Sequence, residues 1–124
     1  EDLWPVRGVV DGLKSVFLNL INNAVQAIDG PGRLQIIAEN LVGEHMVRIR
    51  VSDSGPGIPP ALREKVFAPF FTTKAQNKSG TGLGLAIVRN VVRDHGGSVT
   101  VGEGPEGGAC FDIRLPAATV KGMP

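Results

Sequence analysis

The chain has 124 residues, 42% of them hydrophobic, with 13 Lys+Arg against 12 Asp+Glu. That supports one compact domain with a core and leaves little room for a second. A net charge of +1 provides no polybasic field for nucleic acid or an anionic membrane, and no apolar run approaches the ~18 residues that span a bilayer. The start, Glu1-Asp2-Leu3-Trp4-Pro5, lacks the layout of a signal peptide. One cysteine, Cys110, excludes an intrachain disulfide and a cysteine-built metal site, and it fits a reducing cytoplasm. Seventeen glycines, about twice the usual ~7% share, gather at 55–57, 80–84, 96–97 and 102–108. Such clusters mark backbone that turns sharply or comes close to something.

Residues 11–29 read as a helix, because Leu13, Val16, Phe17, Leu20, Ala24, Ala27 and Ile28 recur at helical spacing. Asp11 is the expected N-cap, and Gly30-Pro31-Gly32 stops the element. A strand is expected over 33–41. From His45 to Val51 the pattern alternates, with Val47, Ile49 and Val51 facing one way and Arg48 and Arg50 the other. That describes a sheet with one covered and one wet face. Pro56, Pro59, Pro60 and Pro69 then punctuate a stretch with room for a short helix at 61–67, followed by a polar run to Gly80. A long, weakly packed segment inside a small domain is usually functional. Residues 83–95 give a second helix, with Leu85, Val88, Val91 and Val92 inward and Gly96-Gly97 ending it. Two closing strands are expected at Ser98–Val101 and Ala109–Leu115. The predicted fold is an α/β two-layer sandwich: a mixed, mostly antiparallel sheet with helices on one face. The domain spans residues 1–116, and 117–124 form a tail.

Asn19, Asn23 and Gln26 fall within an arc of about 60° beside the apolar stripe of the first helix. An Asn carbonyl oxygen is a natural ligand for a hard cation; the alternative is a merely solvated helix side. Asn is a mediocre helix former, so Asn19, Asn22 and Asn23 in mid-helix weigh against that alternative. Asp53 ends the alternating strand on the covered face, where a carboxylate must be paired or bound. With Gly55-Pro56-Gly57 directly after it, Asp53 suits an exocyclic amine such as that of adenine, or else caps its own turn. Gly80-Thr81-Gly82-Leu83-Gly84 runs into the second helix, where exposed N–H groups and the helix dipole hold phosphate. It matches neither the dinucleotide fingerprint nor a Walker loop. Arg63, Lys65, Lys74 and Lys78 against Glu64 alone make residues 61–80 a positive cover. Phe67, Phe70 and Phe71 supply apolar anchors for an order–disorder latch. His45 and His95 lack metal-ligand spacing and read as structural.

Together these pieces resemble the four boxes of the catalytic and ATP-binding domain of sensor histidine kinases, in the superfamily of gyrase, the ninety-kilodalton heat-shock chaperone and the mismatch-repair ATPase. Residues 19–27 resemble the asparagine box and residues 53–58 the first glycine box. Residues 66–74 resemble the phenylalanine box and residues 80–88 the second glycine box. The resemblance implies a Bergerat-type ATP-binding fold that binds ATP and Mg²⁺. In it Asn23 would coordinate Mg²⁺, and Asn19 would assist at the phosphates or metal-bound water. Asp53 would accept from the adenine amine, with Gly57 closing the base pocket. Gly82 and Gly84 would let the lid backbone approach the triphosphate, and Lys74 would reach its γ end. Asn19, Asn23 and Lys74 form the implied catalytic set. The implied nucleotide-binding set adds Gln26, Gly55, Ile58, Phe67, Thr72, Thr73, Gly80, Thr81, Leu83 and Leu85.

Two departures from the family pattern stand out. Ala109 occupies the position, two residues before Phe111, where a Thr often helps hold adenine, so water or backbone must serve. Gln26 stands where many members carry a basic residue. The expected activity is transfer of the ATP γ-phosphoryl group to a His on a dimerisation hairpin that this chain lacks. A response regulator acts downstream, the fragment is monomeric, and the cytoplasmic parent is a homodimer, whether or not it is membrane-anchored. The alternatives are a serine kinase of the anti-sigma type and a nucleotide-dependent binding module without transferase activity.

Overall fold

A computed structural model describes residues 3–28, 30–71 and 84–118. Helix α1, Val10–Ala27, buries Val16, Leu20 and Ala24 on one stripe. It begins before the expected cap. Val9 is the N-cap: its carbonyl accepts the Leu13 N–H at 3.0 Å, and its apolar side chain makes no capping bond. Asp11 therefore sits in the first turn, where a negative charge suits the positive helix end.

Strands β1 (Leu34–Leu41), β2 (Met46–Asp53), β3 (Ser98–Glu103) and β4 (Ala109–Pro116) form one sheet in the order β1-β2-β4-β3. All three pairings among the described residues are antiparallel, so the expected mixed sheet is uniform here. Helix α2, Gly84–Asp94, buries Leu85, Ala86, Val88 and Val92. In place of a helix at 61–67 there are two 3-10 turns, Pro60–Leu62 and Lys65–Phe67.

The alternation in β2 sets the layers. Val47 and Val51 pair with Leu115 and Phe111 of β4; all four are buried, and Val51, Phe111 and Leu115 share one core cluster with Val16, Leu20, Val88 and Val92. Arg48 and Arg50 fall on the other face. Arg48 bonds Asp112 at 3.0 Å, while Glu39 lies 3.5 Å from Arg48 and 3.4 Å from Arg50. Two of the residues expected in the tail are tied down: the Ala117 N–H donates to the His45 carbonyl and the Ala118 N–H to that of Pro5.

Candidate nucleotide site

Asp53 is the last residue of β2 and is only 3% exposed. Its Oδ1 accepts the Gly55 N–H at 2.9 Å and the Ala109 N–H at 3.2 Å. A buried carboxylate needs such donors. Of the two alternatives raised by the sequence, the turn cap is visible directly: one oxygen caps the turn after β2. Among the described residues, Oδ2 receives no protein donor. Ala109 supplies only its backbone N–H, and it gives that to the carboxylate; its side chain has no hydroxyl to offer a base.

Glycines frame the acid. A Cβ on Gly108 would lie 2.1 Å from the Asp53 carbonyl and 2.5 Å from Oδ1, and one on Gly55 would lie 2.9 Å from the Ala27 carbonyl. Gly57 has φ +78, and its Cβ would meet the Gly107 carbonyl at 2.9 Å. The two glycine loops therefore pack on each other and on Asp53. Beside them opens a cleft of about 230 Å³ lined by Gly57, Ile58, Pro59, Arg63, Gly107 and Gly108. A larger cavity of about 700 Å³ lies against the N-terminal segment and the end of α2, with Arg7, Val9, Val91 and His95 in its wall. No expected site residue lines it.

Helix α1 connects the acid to the amides. Its end, Ala27, rests on Gly55, and Asn23 and Asn19 lie about 6 and 12 Å back along the axis. Both are half-buried. Asn19 Nδ2 donates to Ser15 Oγ at 3.3 Å, which leaves its oxygen facing the head of α2, where a Gly84 Cβ would lie 3.2 Å from Oδ1. The asparagine helix and the start of the second glycine-box helix thus meet at one amide oxygen. Gln26 is half-buried on the same helix.

Other expected residues take different places. Phe67 is a core residue. Its ring meets Phe111 edge-on at 6.1 Å, with the Arg89 guanidinium 5.3 Å above it and Glu64 paired to that Arg. Ile58 and Leu85 are also buried in the core. Thr72, Thr73, Lys74, Gly80, Thr81, Gly82 and Leu83 lie outside the described residues. Among the described residues no three His, Cys, Asp or Glu side chains gather to hold a metal. Hard oxygen donors come instead from the Asn amides, which fits a cation held chiefly by phosphate and water. Sequence reasoning passed over Gly108, whose necessity shows only when Asp53 is seen against it.

A buried acid walled by glycine loops, one helix away from paired amides, defines a nucleotide-binding ATPase domain. The family model described as histidine kinase-, DNA gyrase B-, and HSP90-like ATPase matches residues 8–119, and the chain belongs to that family. Its relatives are sensor kinases. Sensor histidine kinase ZraS of Salmonella typhimurium is 44% identical over 116 residues, covering 94% of this chain and 24% of that protein. Two-component sensor PprA of Pseudomonas aeruginosa is 47% identical over 120 residues, covering 91% and 13%. The chain therefore spans about a quarter or less of these relatives. Among solved structures, a mycobacterial sensor histidine kinase, MprB, matches with a TM-score of 0.85 at 34% identity, covering 94% of this chain and 80% of that one. Full-length ShkA in complex with AMPPNP matches at 0.73 and 36%, covering 88% and 22%.

Proposed function

We propose that this domain binds ATP with Mg²⁺ in the cytoplasm and passes the γ-phosphoryl group to a histidine on a dimerisation hairpin of a longer protein. A response regulator then takes the group. The observation that carries this reading is Asp53, a buried carboxylate with one oxygen committed to backbone and the other open to a donor. The adenine amine donates to Oδ2, and an acceptor at the same place on another purine would be repelled. The phosphates run along α1 toward Asn19 and Asn23; Asn23 would offer an amide oxygen to Mg²⁺, and Asn19 would assist at the phosphates or metal-bound water.

Mg²⁺, when bound, would neutralise charge on the phosphates. The chain's own residues contribute position: Asp53 fixes the base, and the rigid α1 fixes the distance from base to phosphate. Phosphoryl transfer depends mainly on such placement. The bond between the γ phosphorus and its bridging oxygen breaks, ADP leaves, and a new bond forms to the histidine nitrogen. Mixing the domain with the purified hairpin of its own protein and labelled ATP tests this. The expected product is an acid-labile, base-stable phosphoprotein. Acid-stable phosphate, or bound nucleotide with no transfer, would overturn it.

A further inference from the structure

The end of α2 and the residue ahead of α1 meet at His95. Its Nε2 accepts the Val9 N–H at 3.0 Å, and its Nδ1 lies 2.7 Å from the Val91 carbonyl. Only one protonation state satisfies both neighbours: Nδ1 carries the proton and donates to Val91, while the Nε2 lone pair accepts from Val9. Val9 is the uncapped N-cap of α1. From just past the end of α2, the imidazole thus does what the Glu or Gln at the third helical position of a capping box does from its own helix, satisfying the N-cap N–H. Space around the ring is tight, since a Cβ on Gly8 would lie 2.5 Å from its Cδ2 and Nε2.

The start of α2 meets the middle of α1 where Gly84 abuts the Asn19 amide. α1 and α2 therefore run antiparallel, joined by His95 at the start of α1 and by that contact half-way along it. We infer that His95 is a positioning residue for the nucleotide site: as the Nδ1–H tautomer it fixes the register of α2 along α1, and with it the seat of Gly84 on Asn19. This inference rests on the nucleotide reading above for its functional consequence. A second proton, on Nε2, would set donor against donor at Val9 and release the tie. Around the ring, Arg7 of the N-terminal segment and Asp94 of α2 line the same groove, and Asp11 lies in the first turn of α1. The end of β4 brings Pro116 and Ala117, neither titratable.

The test uses the whole chain in two arms. Without nucleotide, nitrogen NMR should report the Nδ1–H tautomer. In His95→Phe the Val9 amide and the Asn19 side-chain amide should both shift. An Nε2–H tautomer, or Val9 and Asn19 signals indifferent to the ring, would overturn the inference whether or not nucleotide binds. In the second arm, calorimetry with ADP and Mg²⁺ should show affinity falling about three- to tenfold in His95→Phe, the worth of one hydrogen bond. His95→Gln, whose oxygen accepts from Val9, should keep the parent's affinity. A Phe variant that binds like the parent, or a Gln variant as weak as Phe, would overturn it. A parent chain that binds no nucleotide would defeat the functional reading alone, and the first arm would still decide the register.

Discussion

Replacing Asp53 by Asn separates the two tasks of one carboxylate. Oδ1 is committed to the Gly55 and Ala109 N–H groups, so the oxygen of the new amide must stay there; turned round, its NH2 would face two donors. The NH2 therefore takes the place of Oδ2 and confronts the adenine amine. The bond lost is charge-assisted, worth ~1.5–3 kcal/mol, or about ten- to a hundredfold in affinity. Preference for adenine over guanine nucleotides should narrow as well. Stability should fall only by about 1 kcal/mol, because both backbone bonds survive in neutral form. Asp53→Ala instead strands two buried N–H groups, at ~1–3 kcal/mol each, and should melt well below the Asn variant. Calorimetric titration with ADP, paired with thermal melts, reads both effects. An Asn variant that binds ADP as tightly as the parent would reduce Asp53 to a turn cap and refute the reasoning.

Gly108→Ala places a Cβ 2.1 Å from the Asp53 carbonyl, so the loop must move off the acid; calorimetry should show ADP binding lost, with a stability cost of ~1–3 kcal/mol. Asn23→Ala should retain base contacts while losing the Mg²⁺ dependence of ADP binding, measured by titration with and without the metal. Phe67→Ala empties a core site between Phe111 and Arg89 and should cost ~3–5 kcal/mol in denaturant unfolding. Glu64→Gln should change stability by less than about 1 kcal/mol, because that carboxylate side chain is 78% exposed and surface pairs contribute little.

The placement of Asp53 and the asparagines was legible because it depends on period. Alternation in β2 placed Asp53 with Val47 and Val51 on the buried face, and helical spacing placed Asn19 beside Asn23. Contacts between distant segments were not legible. Nothing near Gly108 announces that the Asp53 carbonyl, more than fifty residues away, leaves no room for a side chain. Nor does the sequence around Val9 show that His95 will tie its N–H, so Asp11, a good capping residue, was the natural expectation. Phe67, expected as an apolar anchor, is one, but its partner Phe111 lies on a distant strand and could not be named from the sequence. The open face of the sheet followed its alternation, but the Glu39–Arg48–Asp112 chain of charges crosses three strands and needs their register to be seen.

The central claim is that Asp53 and the asparagine amides serve one nucleotide. Amide and side-chain NMR shifts measured first with adenosine and then with AMPPNP and Mg²⁺ test it most directly. Adenosine should move Asp53, Gly55, Gly57, Gly108 and Ala109, and the triphosphate with metal should extend the perturbed set along α1 to Asn23 and Asn19. Shifts confined to the large groove beside His95, or amide signals of Asn19 and Asn23 that stay still while Asp53 moves, would contradict it.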